Sequence, residues 1–118
     1  MDIYICIYNE TGTGSICSSI AGTCGRQPDI VCGKPSSPLL ELMIDEYSLD
    51  SYGRQQTLLV GDRLDTDIKF AKSAGFTSVL TLTGCTSKAA VDAAAAADDA
   101  TSPLPTFVVP SLGSMVGI

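Results

Sequence analysis

The sequence is 118 residues long, 45% hydrophobic and 17% charged, which suits one small globular core and excludes the disordered and fibrous classes. Seven Lys and Arg against thirteen Asp and Glu give a net charge of −6 with no basic cluster, so nucleic acid is not an expected partner. An acidic chain can supply carboxylates to a hard cation, a property that composition alone does not assign to any residue.

The absence of histidine rules out a Ser-His-Asp triad, a Cys-His dyad or an ordinary catalytic zinc site built by this sequence alone. Cys6, Cys17, Cys24, Cys32 and Cys85 form an odd set with no CxxC pair, which fits neither a disulfide framework nor a zinc ribbon. They are expected to be reduced, mostly buried thiols of a cytoplasmic protein. The run from Ile3 to Tyr8 is apolar but short and has no basic region before it, so neither a signal peptide nor a membrane span is expected.

In chain order, Ile3 to Tyr8 reads as a short strand ended by Asn9. Thr11 to Ser15 reads as a turn rather than a phosphate cradle, because it lacks P-loop spacing and the lysine that follows it. Ile16, Ile20 and Ala21 are weakly helical before Gly22, Gly25 and Pro28 break the pattern. Asp29 to Cys32 has strand character, and Ser37 with Pro38 marks a helix start. Leu40, Met43, Ile44 and Tyr47 then recur at helical spacing, predicting an amphipathic helix over 38–47 with Glu41, Asp45 and Glu46 on its far face.

Thr57 to Val60 is a continuous apolar run, the form of a strand buried on both faces of a parallel sheet. A polar loop, Gly61 to Asp67, leads to a helix over 68–74 stopped by Gly75, and Thr77 to Leu82 is a second buried strand. The pair forms a strand-helix-strand unit. Ser87 to Ala100 is an alanine-rich helix, Thr106 to Val109 a third strand, and Ser111 a cap for a short terminal helix. Alternating strands and helices predict an α/β fold with a parallel sheet, whose chemistry lies after the carboxyl ends of the strands.

Two of those loops are chemically loaded. Lys34 lies before a helix start and is a point cation able to hold a phosphate oxygen, although an isolated loop lysine is more often simply solvated. Asp62, Asp65 and Asp67 fall within six residues, an arrangement that Mg²⁺ and a nearby lysine would relieve. Helix capping accounts for Asp65 and Asp67, whereas Asp62 precedes the helix by too much to cap it.

Gly33-Lys34-Pro35-Ser36, an amphipathic helix, then Leu58 to Ile68 and Val79 to Gly84 together resemble the C-terminal half of a haloacid dehalogenase (HAD) superfamily phosphatase. The likeness is to the capped 4-nitrophenylphosphatase, phosphoglycolate phosphatase and pyridoxal phosphatase group. It runs from about Thr11 to a terminal Phe107 to Leu112 segment. The resemblance implies a partial HAD-like Rossmannoid sheet, with an atypical N-terminus and cap remnant in 1–28 and the C-terminal part of the core in 29–118. It implies Mg²⁺-dependent hydrolysis of a small phosphorylated metabolite through an aspartyl-phosphate. Lys34 matches the lysine that contacts phosphate and nucleophile, Asp62 matches the Mg²⁺ ligand, and Asp67 matches the acid that supports the metal shell or positions the lysine.

The sequence departs from the family where the nucleophile belongs: Asp65-Thr66-Asp67 has the letters of a DxD motif but sits inside the metal-binding loop. The second-motif Ser or Thr and most of the cap are also missing. The expectation is a truncated chain, catalytically silent alone. Its strand over 57–61 then lacks the neighbour that carries the nucleophile, and the open edge invites homo-oligomerisation or binding of another chain. A receiver-like fragment fits less well, because the acid follows the lysine in the chain.

Overall fold

The structure is a computed structural model that describes residues 12–97 and 103–115. It divides into two units, Met1–Val31 and Cys32–Ile118. The expected strand over Ile3–Tyr8 lies outside the described residues.

In the first unit, α1 spans Thr13–Cys24 and ends at Gly25, whose φ of 64° is the left-handed conformation of a helix stop. The helix starts within the segment read as a turn and continues through Gly22. An interior glycine costs a helix only about 1 kcal/mol, so Gly14 and Gly22 weaken α1 without interrupting it. Ala21 is buried, whereas Ile16 and Ile20 are exposed.

The last residues of the first unit and the start of the second are irregular. The strand expected over 29–32 is not formed, and Ile30 and Val31 are exposed. A strand needs a hydrogen-bonded neighbour, and among the described residues the sheet contains other segments only. Helix α2 covers Ser37–Glu46 with Ser36 as its N-cap, so the cap lies one residue before the predicted Ser37. Leu40 is buried, and Met43 and Ile44 pack against the core, but Tyr47 is exposed beyond the end of the helix. A short helix that the periodicity does not show, α3 at Ser51–Gln56, is started by Asp50, whose carboxylate accepts the Gly53 amide at 2.7 Å.

Three parallel strands follow in the order β1 (Leu58–Gly61), β2 (Thr77–Thr81), β3 (Phe107–Val109). The registers Val60↔Val79↔Phe107 and Gly61↔Leu80↔Val108 fix the faces of the sheet. Leu59, Ser78 and Leu80 share one face. There Leu59 packs against the cluster of Leu40, Phe70, Ala71, Ala74 and Phe76, and Leu80 packs with Ile68 and Val91. On the opposite face the edge-strand residues Leu58, Val60 and Phe107 are 48%, 39% and 58% exposed, while Val79 between Val60 and Phe107 is buried. The expectation that β1 is buried on both faces is therefore corrected, since among the described residues it is an edge strand covered on one side. At the other edge, the Ser78 and Thr106 hydroxyls and amides bond reciprocally and fix where β3 enters the sheet.

Between β1 and β2 the chain makes a π-helical turn, Leu64–Ile68, then α4, Lys69–Ala74, stopped by Gly75 as predicted. Helix α5, Lys88–Ala96, starts where the Ser87 hydroxyl accepts the Ala90 amide. The terminal segment forms one 3₁₀ turn, Gly113–Met115, with the Ser111 hydroxyl accepting the Ser114 amide. Cys17, Cys24, Cys32 and Cys85 are free and exposed, which corrects the expectation of mostly buried thiols; they lie on α1, at the unit boundary and in a loop rather than on core-facing positions. Among the described residues, no helix is long and apolar enough to cross a membrane.

Candidate functional site

The loop after β1 folds around the carboxylate of Asp67, which is 6% exposed. Its Oδ2 accepts the amides of Asp62 and Arg63, each at 3.2 Å. Its Oδ1 accepts the Lys34 ammonium at 2.6 Å. Asp67 therefore ties the turn before α2 to the loop that ends β1, although the two are 33 residues apart in sequence. The Lys34 side chain stays 43% exposed, so its charge is aimed but still open to solvent.

Asp62 is held by the loop after β2. Its Oδ2 accepts the Cys85 amide at 2.8 Å, and its carbonyl accepts the Thr86 amide at 3.1 Å. The Cys85 amide holds the Asp62 carboxyl below the usual carboxylate range, so Asp62 is an anion at neutral pH. In turn, the Asp62 carboxylate pushes the exposed Cys85 thiol up, which keeps it protonated and a poor nucleophile.

Arg63 and Asp65 face each other in a forked pair, Nε to Oδ1 at 3.1 Å and NH2 to Oδ2 at 2.8 Å. That pair holds the Asp65 carboxyl low and the Arg63 guanidinium high. The N-cap assignment of Asp65 is corrected here, since Arg63 is the N-cap and Asp65 pairs with its side chain; Asp67 does lie in the first turn of Leu64–Ile68, and its carboxylate reaches back to the amides of Asp62 and Arg63. Because the Arg63–Asp65 pair is exposed, Arg63→Ala is expected to cost no more than about 1 kcal/mol, as read by urea denaturation.

Two glycines that residue chemistry alone does not single out make this geometry attainable. A Cβ at Gly61 would overlap the Asp67 carboxyl group, and one at Gly84 would overlap that of Asp62. The available signal was their place, at the ends of two apolar strands. Gly84→Ala is expected to destabilise the chain by roughly 1–3 kcal/mol through this overlap. It should also displace Asp62, visible as altered Cys85 and Thr86 amide resonances; unchanged resonances and stability would exclude the overlap.

The depressed Asp62 value also sets a pH dependence. A carboxyl whose folded pKa lies below its unfolded one contributes stability above the unfolded value and loses it as pH falls through the folded one. With chelator present, Tm should therefore fall on acidification from pH 6 to pH 3, and fall less in Asp62→Asn, where that contribution is absent.

The donors fit a hard cation in part. Asp62 is ionised, half-buried and offers oxygen, whereas both oxygens of Asp67 already accept hydrogen bonds. Among the described residues, no group of three or more His, Cys, Asp or Glu converges on a point. Mg²⁺ commonly takes one or two carboxylates and completes its shell with water and phosphate oxygens, and Asp62 fits one such place.

A family model described as HAD-hydrolase-like matches residues 31–115. Bovine (Bos taurus) chronophin is 49% identical over 76 residues, covering 64% of this chain and 24% of that protein. Phosphoglycolate phosphatase 2 of Arabidopsis thaliana is 38% identical over 77 residues, covering 65% of this chain and 24% of that protein. The solved structure of a glycerol phosphate phosphatase from Mycobacterium tuberculosis in complex with magnesium is similar over 88% of this chain and 28% of its own, with a TM-score of 0.64 and 33% identity. The chain thus spans about a quarter of the length of the curated relatives it matches.

Proposed function

The chain belongs to the HAD-hydrolase-like family, and on that premise we propose that it carries the lysine and metal-binding part of a site that hydrolyses small phosphate monoesters. The observation that carries this reading is one buried carboxylate, Asp67, holding the Lys34 ammonium with one oxygen and the Asp62 amide with the other. That link fixes a cation and an ionised carboxylate at the carboxyl ends of parallel strands, where α/β sheets place ligands. Phosphoryl transfer depends on positioning and charge stabilisation more than on covalent chemistry by the protein, so these are the groups it needs.

In this reading Lys34 binds the phosphate oxygens and Asp67 is its positioning residue, holding the ammonium against reorientation toward solvent. Asp62 is a metal ligand, kept ionised by the Cys85 amide. Mg²⁺ bound there would neutralise charge on the phosphoryl oxygens. The names of the relatives point to short phosphorylated metabolites such as phosphoglycolate and glycerol phosphate. Residues 1–28 form an atypical N-terminal segment with a remnant of a cap, and residues 29–118 form the C-terminal part of the core. Free, exposed thiols suit a reducing cytoplasm.

The nucleophilic carboxylate lies outside this set, because no DxD pair precedes Lys34 in the sequence. A parallel strand added at the edge of β1 that is unpaired among the described residues would lie about 4.8 Å away and end beside Asp62, the place from which a nucleophile would reach the same phosphate. The purified chain is therefore expected to release no phosphate from 4-nitrophenyl phosphate with Mg²⁺ above buffer. Joined behind a family segment that carries the DxD strand, it should turn over, and Lys34→Ala or Asp62→Asn should abolish that turnover. A silent joined protein, or one indifferent to both substitutions, would overturn the proposal.

The edge of β1, unpaired among the described residues, and the exposure of Leu58 and Val60 favour a second reading, a binding or self-associating piece without catalysis. Size-exclusion chromatography over a range of concentrations separates the two. Association that grows with concentration supports the second reading, and a monomer throughout removes it.

A further inference from the structure

The loop between β2 and α5 closes one side of the Asp62 carboxylate. Two separate contacts fall on the same oxygen, Oδ2. The Cys85 amide donates to it at 2.8 Å, and the Gly84 backbone comes so near that a Cβ there would overlap Oδ2 together with the Cβ and Cγ of Asp62. Both contacts belong to one short stretch of chain that is anchored at each end. Strand β2 precedes it; after it, the Thr86 amide donates to the Asp62 carbonyl at 3.1 Å and Ser87 caps α5. Thr86 is buried, so swinging the stretch outward would uncover it.

A carboxylate can meet a cation through one oxygen or through both. Ca²⁺ takes roughly six to eight oxygens in a flexible shell and accepts both oxygens of one carboxylate, whereas Mg²⁺ demands a near-octahedral shell and keeps several waters. An anion that offers one oxygen therefore costs Mg²⁺ little and costs Ca²⁺ a contact. Asp62 is such an anion, because Oδ2 can join a shell with Oδ1 only if the Cys85 amide leaves it and Gly84 withdraws. Asp67 does not make up the difference, since both of its oxygens already accept hydrogen bonds. Among the described residues, no group of three or more His, Cys, Asp or Glu adds further ligands.

We propose that the Gly84-Cys85 backbone is a specificity-determining clamp, which presents a divalent cation with Oδ1 of Asp62 alone and so favours Mg²⁺ over Ca²⁺. The inference rests on the reading of Asp62 as a metal ligand and adds the group that decides which cation Asp62 takes. It gives the role to the Cys85 amide and not to its thiol. The 118-residue chain, labelled with ¹⁵N, is titrated separately with MgCl₂ and CaCl₂ at neutral pH and constant ionic strength. Affinities are read from the saturating shifts of the Asp62, Arg63 and Cys85 amide resonances.

The shifts with both cations should vanish in Asp62→Asn. Cys85→Pro lacks the N–H and frees Oδ2, so it should lower the ratio of Mg²⁺ to Ca²⁺ affinity by roughly threefold or more, through tighter Ca²⁺ binding. Cys85→Ala keeps the amide and should keep the ratio. The ratio is the measure because a general loosening of the loop weakens both cations together. If Cys85→Pro does not fold, the unaltered chain decides: with Mg²⁺ bound, the Cys85 amide should exchange with solvent as slowly as in the free chain, and faster exchange would show that it leaves Oδ2 when the cation arrives. Shifts that survive Asp62→Asn, or that never saturate, would overturn the reading of Asp62 as a metal ligand and this inference with it. Shifts that require Asp62, with a ratio unchanged in Cys85→Pro or lowered equally in Cys85→Ala, would overturn the clamp alone.

Discussion

Replacing Asp67 by alanine is expected to lower the unfolding free energy by about 2–4 kcal/mol, more than any other single change in the loop after β1. The side chain is nearly buried and satisfies three donors at once: the Lys34 ammonium and the Asp62 and Arg63 amides. Lys34 is partly exposed and can return to water, so its share of the loss is small. The two amides are fixed in the backbone of the turn and bond a nearly buried carboxylate, and each donor left unpaired costs roughly 1–3 kcal/mol. Asp67→Asn separates these contributions. Its carbonyl can still accept the two amides, whereas its NH₂ group faces the lysine as a second donor, so the stability loss should shrink while Lys34 loses its tether. Urea denaturation of both variants and of Lys34→Met measures the division. A loss in Asp67→Ala no larger than that in Lys34→Met would mean that the amides contribute nothing, and would remove Asp67 as the organiser of the loop.

Local signals foretold the centre of this fold and not its margins. The run at Leu58–Gly61 is apolar, that at Thr77–Thr81 is rich in β-branched residues, both are bounded by turn residues, and Gly75 stops α4 where its place in the sequence indicated. These elements lie within one strand-helix-strand unit, where periodicity and burial agree. Helix α3 escaped because SYGRQQ has no apolar stripe; an Asp50 cap and the packing around Leu49 create it. Residues 29–32 have the composition of a strand but no strand neighbour among the described residues, and composition cannot report a missing neighbour.

The site was half legible for a similar reason. Clustered aspartates and a lysine before a helix start are visible in the sequence, and so is the pattern of family letters around them. That Asp67 would bond the amides of its own loop and reach Lys34 across 33 residues depends on the sheet bringing two turns together. The roles of Gly61 and Gly84 appear only once carboxylates occupy the space a Cβ would need. Asp65 shows the converse, since its position suggested a cap, yet a neighbouring arginine two residues away satisfies it at shorter range.

The largest loss of stability is expected at Phe70, where truncation to alanine should cost about 3–5 kcal/mol. Phe70 is 1% exposed and lies at the centre of the cluster formed with Leu40, Ala71, Ala74 and Phe76, flanked by Met43, Ile44 and Leu59. It joins α2, α4 and the covered face of β1, so the void left behind would be lined by three elements that cannot all close on it. A cluster this small has few other side chains able to move inward. Domains of this size are commonly stable by only about 5–15 kcal/mol, so the variant should lie near the edge of folding. Phe107 supplies the internal control. It is the same residue type, but it lies on strand β3 and is 58% exposed, and Phe107→Ala should cost less than about 1 kcal/mol. Chemical denaturation of the two variants tests whether the cluster around Phe70 carries more of the second unit's stability than the outer position on β3. Equal losses would mean that Phe107 is as tightly packed in solution as Phe70, and its exposed placement would have to be abandoned.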